Sequence, residues 1–343
     1  MNYKKLGNTN LEVSTICLGT MTWGEQNTQE DGFEQMDYAL DQGVNFWDTA
    51  EIYSIPPREE TFGSTEEIIG NWFEKTKKRD KVILASKVCG PMREYVRGGG
   101  NQFGKKNITE ALEGSLRRLK TDYIDLYQLH WPERLTNYFA VRNFKYFNDS
   151  WEDNFQEILH KLKKAVDAGK VRHVGLSNEN PWGIMKFLGY SKSELPKMIT
   201  IQNPYSLLNR LFEIGSGEIC KRENVGLLAY SPLGFGVLTG KYRNGNVPKN
   251  SRLDLFPTMA RYTNENCKNA TELYHQIAEK HNLTLTELAL AFVNDRPFVT
   301  SNIIGATNMQ QLKENIDSIK TKLSKEILGE INQAQEKIPN PAP

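Results

Sequence analysis

Short apolar runs alternate with amphipathic stretches along this chain. Eight such runs stand out: Thr15–Leu18, Val44–Trp47, Val82–Ala85, Tyr123–Tyr127, His173–Leu176, Ile199–Gln202, Gly226–Ala229 and Asn302–Ile304. They are mostly apolar at successive positions, as parallel strands covered by helices on both faces should be. Helical patterns fill the gaps. Ser64-Thr65-Glu66-Glu67 reads as a capping box opening Ile68–Glu74. Glu30–Leu40 runs into Gly43, and Phe155–Ala168 into Gly169, glycines suited to end a helix. Ile158, Leu159, Leu162 and Val166 fall on one helical face. Asn308 with Gln311 can start a helix over Leu312–Ile319. Ahead of the first run, Tyr3–Gly7 and Leu11–Val13 can pair as a hairpin that plugs one end of a barrel.

Eight strand–helix units without a linker predict an α/β fold, a closed (β/α)8 barrel. A barrel of this kind needs about 250 residues, and the chain has 343. We therefore read residues 1–343 as one barrel domain. The excess goes to rim loops at about 89–106, 131–151 and 234–266, and to extra C-terminal helices. A doubly wound sheet usually carries Gly-x-Gly-x-x-Gly after its first strand. Here Gly19-Thr20-Met21-Thr22-Trp23-Gly24 does not match it, and Gly234-Phe235-Gly236 with Gly240 comes after the seventh strand with the wrong spacing.

Charge narrows the partners. Lys plus Arg number 43 and Asp plus Glu 42, a formal net charge of +1. Signs are interspersed, which argues against a nucleic-acid partner held by phosphate neutralisation. No apolar run approaches a membrane span. The opening Met1–Gly7 has no signal-peptide core, so a cytoplasmic protein is expected. Cys17, Cys89, Cys220 and Cys267 are far apart in sequence, and no metal site or disulfide is expected. The Asn-x-Ser/Thr sequons at Asn107, Asn148, Asn269 and Asn282 then read as chance matches. Disorder is expected only in the Pro339–Pro343 tail. No feature requires an oligomer.

The informative feature is where the runs stop. They lead into Asp48-Thr49-Ala50, Ser86-Lys87, Gln128-Leu129-His130, Ser177-Asn178, Gln202-Asn203, Tyr230-Ser231-Pro232 and Gly305-Ala306-Thr307. In a parallel barrel these ends share one rim, where active sites are built. Asp48 can pair with Lys87 on the next strand, His130 lies one strand further, and Tyr53 can fold back over them. A phenol titrates near 10, and a neighbouring lysine lowers that value. Asp48 would balance the lysine, and His130 could polarise a carbonyl oxygen. Such a group suits carbonyl reduction, with the hydride drawn from a cofactor.

These residues resemble the aldo-keto reductase superfamily. The likeness rests on Asp48-Thr-Ala-Glu-Ile-Tyr53, Leu84-Ala-Ser-Lys87, Asp125-Leu-Tyr-Gln-Leu-His130, Gly175-Leu-Ser-Asn178, Gln202-Asn203, Tyr230-Ser-Pro-Leu-Gly234 and Gly305-Ala-Thr-Asn308. It runs from Leu6-Gly7 to Asn315. Trp23–Asn27 and Tyr53–Pro57 look most like the bacterial Tas-type branch. The resemblance implies a barrel reductase of aldehydes and ketones that uses NADP(H) in preference to NAD(H). It implies Tyr53 as general acid, Lys87 and Asp48 tuning it, and His130 orienting the carbonyl. Thr20, Met21, Asp48, Ser177, Asn178, Gln202 and Tyr230 would meet the nicotinamide half. Ser231, Pro232, Leu233, Gly234, Phe235, Gly236, Leu238, Gly240 and Lys241 would wrap the pyrophosphate, with Arg252 adding charge. Gly305, Thr307, Gln311, Glu314 and Asn315 would meet the adenosine end. Thr307-Asn308-Met309 supplies no cation for a 2′-phosphate, so Arg252, or the helix N-terminus with Gln311, would substitute.

Trp23 and Trp131 are candidate substrate walls, with Tyr138, Phe139 and Phe144 on a loop able to act as a partial lid. Two other readings remain. One is an NADP(H)-binding redox-sensing protein of the potassium-channel β-subunit type, in which the histidine is commonly lost; His130 favours catalysis. The other is a Schiff-base aldolase using Lys87, which would leave the cofactor segments unexplained.

Overall fold

A computed structural model describes residues 1–343 apart from residues 92, 100–102, 105, 192–193 and 259–260. Parts of the 89–106 and 234–266 loops therefore lie outside the described residues. A hairpin, β1 (Tyr3–Lys5) and β2 (Glu12–Ser14), precedes eight strands. These are β3 (Ile16–Gly19), β4 (Phe46–Asp48), β5 (Ile83–Val88), β6 (Ile124–Leu129), β7 (Val171–Ser177), β8 (Met198–Pro204), β9 (Gly226–Tyr230) and β10 (Val299–Ile304). All eight are parallel neighbours in chain order, and β10 closes on β3. Each corresponds to one of the apolar runs, with ends moved by a few residues.

The helices are α1 (Gln29–Asp41), α2 (Ser64–Thr76), α3 (Asn107–Leu119), α4 (Phe155–Asp167), α5 (Pro181–Tyr190), α6 (Ser216–Glu223), the single turn α7 (Arg252–Leu255), α8 (Glu265–Lys280), α9 (Leu285–Asn294), α10 (Met309–Asp317) and α11 (Lys325–Lys337). The extra helices α8 and α11 pack on each other. Lys280 and His281 both meet Glu330 across that contact. Asn308 caps α10 by accepting from the Gln311 N–H.

Two expectations need correction. The residue ahead of α2 is Gly63 in a left-handed conformation, and no side chain caps that end. Ser64 lies inside the helix, Thr65 donates to Trp23 O at 2.7 Å, and Glu66 pairs with Arg118. The capping box fails because its two members, Ser64 and Glu67, both lie inside the helix; Ser64 Oγ donates to Ser54 Oγ at 3.4 Å, and Glu67 is exposed. The tail is also ordered by contacts. Ala342 is buried, its N–H donates to Leu208 O, Asn340 Oδ1 accepts from Arg210 N–H, and Arg142 and Asn264 donate to Pro341 O.

The barrel interior has two levels. Below the site, Cys17, Phe46, Ala85, Leu126, Ile199 and Leu228 form an apolar layer with Ile303 near the end of β10, closed by Leu6 and Val13 of the hairpin. Gly7 makes this closure possible: its φ is +57°, and a Cβ there would stand 2.7 Å from Ile199 O. One period-two step further along each strand, Phe46 gives way to Asp48, Ala85 to Lys87, Leu126 to Gln128, and Leu228 to Tyr230. The inner wall turns polar at one height, and the site stands there.

Candidate active site

Strand register brings the polar layer together. Asp48 pairs with Ala85, two residues before Lys87, and Lys87 pairs with Gln128. The Lys87 side chain is 0% exposed. Its Nζ donates to Asp48 Oδ2 at 2.6 Å, Thr49 O at 2.7 Å and Tyr53 Oη at 3.3 Å, filling all three donor directions. The other Asp48 oxygen accepts from Gln202 Nε2 at 2.7 Å and Gln128 Nε2 at 3.3 Å. An ion pair this deep persists only because nearly every lone pair and proton is satisfied.

Burial works to lower the Lys87 ammonium, but Asp48 and Tyr53 outweigh it and hold the group above its ordinary value. A charged, enclosed lysine is not a free amine, which argues against Schiff-base chemistry. Burial pushes the Tyr53 hydroxyl up, Lys87 pulls it back, and Asp48 adds to the rise. The net direction is upward, contrary to the lowering expected from the lysine alone. His130 is lowered well below its ordinary value, by burial first and by Lys87 second. Its ring lies 5.7 Å from that of Tyr53, and its Nδ1 is buried without a partner among the described residues.

The next strands add an amide relay. Tyr230 Oη donates to Asn178 Oδ1 at 2.6 Å. Asn178 Nδ2 donates to His130 O at 2.9 Å and Ser177 Oγ at 3.1 Å, and Ser177 Oγ donates to Gln202 O at 2.9 Å. The His130 strand end is thus tied to the ends of β7, β8 and β9.

All of this opens into a cavity of about 690 Å³. It is lined by Thr20, Met21, Asp48, Tyr53, His130, Trp131, Ser177, Asn178, Gln202, Tyr230, Ser231, Pro232, Leu233, Phe235, Gly236, Lys241, Arg252, Gly305, Thr307, Gln311, Glu314 and Asn315. Lys87 is not in its lining and meets it through Asp48 and Tyr53. Gly234, Leu238 and Gly240 stand behind the wall, Leu238 fully buried. Trp23 is a correction. It is 0% exposed, and its indole donates to Gln35 Oε1, so it packs under the rim and does not line the cavity. Phe139 lines the cavity, Tyr138 packs on the Tyr53 cluster, and Phe144 is exposed.

Sequence reasoning missed several residues. Gln128 shares the inward face of β6 with His130, and the period-two rule could have found it. Arg261 lines the cavity from a loop with no pattern signal. Glu51 accepts from Cys89 N–H at 2.8 Å and from Arg97 through both oxygens, a contact that no local spacing reveals.

The profile of the aldo/keto reductase family matches residues 15–336. The chain belongs to the aldo/keto reductase family. It is 47% identical over 346 residues to protein tas of Escherichia coli strain K12, covering the whole of both chains. It is 30% identical to the aldo-keto reductase yakc [NADP(+)] of Schizosaccharomyces pombe, covering 96% of this chain and 90% of that one. It is 29% identical to a probable voltage-gated potassium channel subunit beta of Arabidopsis thaliana, covering 93% and 91%. An oxidoreductase role follows from the family. No helix among the described residues is long and apolar enough to cross a membrane.

The cavity also has the chemistry a nicotinamide dinucleotide asks for. Lys241, Arg252 and Arg261 line it, and among the described residues none pairs with an Asp or Glu side chain. The Arg252 guanidinium lies 4.9 Å over the Phe235 ring. Gly236 and Gly305 leave the backbone open to close approach. Gln26 Nε2 donates to Asn250 O at 3.1 Å, joining the loop after β3 to the 234–266 loop.

Proposed function

We propose that this protein reduces the carbonyl of a small aldehyde or ketone to an alcohol, with NADPH as reductant and Tyr53 as general acid. The observation that carries the reading is the buried Asp48–Lys87–Tyr53 chain opening on the same cavity as His130. When bound, the dinucleotide supplies the hydride that the carbonyl carbon receives. The carbonyl oxygen takes the Tyr53 hydroxyl proton. The phenolate left behind faces the Lys87 ammonium, whose charge Asp48 balances. Neutral His130 orients the carbonyl oxygen. Ser177, Asn178 and Gln202 would hold the nicotinamide carboxamide, and Tyr230 would pack on its ring. Lys241 and Arg252 would meet the pyrophosphate, and Gly305 to Asn315 the adenosine.

The unpaired cations favour NADP(H) over NAD(H), and a relative named for NADP(+) supports the same choice. Arg252, or the α10 N-terminus with Gln311, would serve the 2′-phosphate, since Thr307-Asn308-Met309 carries no cation.

Replacing Tyr53 by Phe tests the reading. With 4-nitrobenzaldehyde, NADPH oxidation should fall by about 10²- to 10⁴-fold, while NADPH binding persists. Undiminished turnover would remove Tyr53 from the mechanism. A redox-sensing protein is the second reading, favoured by the similarity to the Arabidopsis channel subunit. Tight NADPH binding without reduction of any carbonyl in a broad panel would decide for it.

A further inference from the structure

The two halves of the cavity differ in their chemistry. The loops after β7 to β10 carry the amides and the cations Lys241, Arg252 and Arg261. The loops after β3, β4 and β6 carry an apolar surface: Met21, Ile52, Ile55, Trp131 and Phe139, beside Tyr53 and His130. One cation breaks that surface. Arg93, in the loop after β5, lines the cavity on this side. Among the described residues it makes no ion pair, although Glu59, Glu60 and Glu94 lie exposed in the same neighbourhood.

Arg93 is held there by contacts on both sides of it. Before it, Trp131 Nε1 donates to Pro91 O at 3.0 Å, and the chain packs so tightly on that indole that a Cβ on Gly90 would stand 2.3 Å from Nε1. After it, the Val96 N–H donates to Arg93 O, and Arg97 grips the buried Glu51 carboxylate through both oxygens. Val96 itself packs with Ile52, Tyr53, Cys89 and Trp131. Both anchors thus belong to the segments that carry Tyr53 and His130. The backbone that carries Arg93 is thereby tied to the segments of the proposed reacting groups.

Among the described residues, Glu59, Glu60 and Glu94 stay outside the cavity lining on this side. The carboxylates lining the cavity are Asp48, already held by Lys87, Gln128 and Gln202, and Glu314 on α10, in the adenosine segment. We propose that the physiological substrate is an anionic carbonyl compound: an apolar or aromatic aldehyde or ketone whose carboxylate is received by Arg93. The inference rests on the reductase reading and adds the substrate class to it. A guanidinium presents a planar fork that matches a carboxylate, and the apolar residues that line the same cavity would receive the uncharged body of the molecule.

The experiment compares 4-carboxybenzaldehyde with 4-carbamoylbenzaldehyde, its neutral near-isostere. Values of kcat/KM for each are measured with NADPH in the wild type, Arg93→Met and Arg93→Lys. The wild type should prefer the carboxylate. Arg93→Met should lower the carboxylate-to-amide ratio by roughly ten- to a hundredfold, the span of a charged hydrogen bond. Arg93→Lys should restore part of it. The change should sit in KM for the carboxylate, since the contact is remote from the reacting carbonyl. Turnover of both aldehydes with a ratio unchanged within about twofold overturns this proposal alone. Turnover of neither by the wild type overturns the reductase reading and this proposal with it.

Discussion

Burial decides the protonation of both groups proposed to face the carbonyl. Tyr53 has a lysine at 3.3 Å, yet its enclosed hydroxyl titrates above its ordinary value of 10.0. His130 titrates well below 6.5 for the same reason, with Lys87 adding to it. Reduction needs the phenol protonated. A raised Tyr53 value keeps the proton in place as pH rises and loses it only above 10. A lowered His130 value keeps the imidazole neutral as pH falls through 6.5. The expected kcat/KM profile for reduction is therefore without an inflection near 6.5, with its alkaline limb above 10. A bell centred between those ordinary values would show that neither group is desolvated as described. Asp48, Lys87 and His130 were legible in the sequence because each stands where an apolar run ends, so one periodicity places all three on the rim. The direction of the Tyr53 shift was not legible. It depends on how much water the folded rim excludes, and a spacing between residues does not carry that.

At the level of elements, α2 shows why local pattern can mislead. Ser64-Thr65-Glu66-Glu67 has the spacing of a capping box, but the helix already begins at Ser64, and the fully buried Thr65 and Glu66 between the box positions serve neighbours. Glu66 accepts from Ser86 of β5 at 2.5 Å and pairs with Arg118 of α3 at 2.7 Å, so one carboxylate joins strand to helix. The close approach of α2 and α3 that permits this is made at Gly70. A Cβ there would stand 2.1 Å from Arg118 O, on backbone that cannot rotate away. Gly70→Ala improves intrinsic helix propensity by about 1 kcal/mol. It should nevertheless destabilise the protein by roughly 1–3 kcal/mol, the usual cost of overpacking, with a lower midpoint in urea. A higher midpoint would mean that α2 and α3 slide apart freely. The strands were easier to read than this contact because their apolar runs are continuous, whereas helix contacts depend on partners about fifty residues away.

Across the whole molecule, charge is balanced in number but not in place. The chain carries +1 overall, and buried cations elsewhere are matched: Arg134 with Glu179, Arg79 with Asp125, Arg118 with Glu66. In the cavity, Lys87 is matched by Asp48, while Lys241, Arg252 and Arg261 face the opening without an acidic side-chain partner among the described residues. Arg261 is held instead by Pro343 O at 3.2 Å, part of the docked tail whose order the sequence did not foretell. Its partners Leu208, Arg210, Arg142 and Asn264 come from three separate loops, so no local composition announces the docking. A low-dielectric cleft lined by one sign of charge concentrates its field on a bound anion. The proposed cofactor should therefore bind with strong salt dependence. Screening shortens from about 10 Å at 0.1 M salt to about 3 Å at 1 M. Over that range the NADPH dissociation constant should rise by about tenfold, read by quenching of tryptophan fluorescence. NADH, lacking the 2′-phosphate, should show a shallower dependence. Equal slopes for the two cofactors would place the 2′-phosphate away from these cations. A flat response for both would show that hydrogen bonds from Asn178, Gln202 and the backbone, and not Lys241, Arg252 and Arg261, hold the dinucleotide.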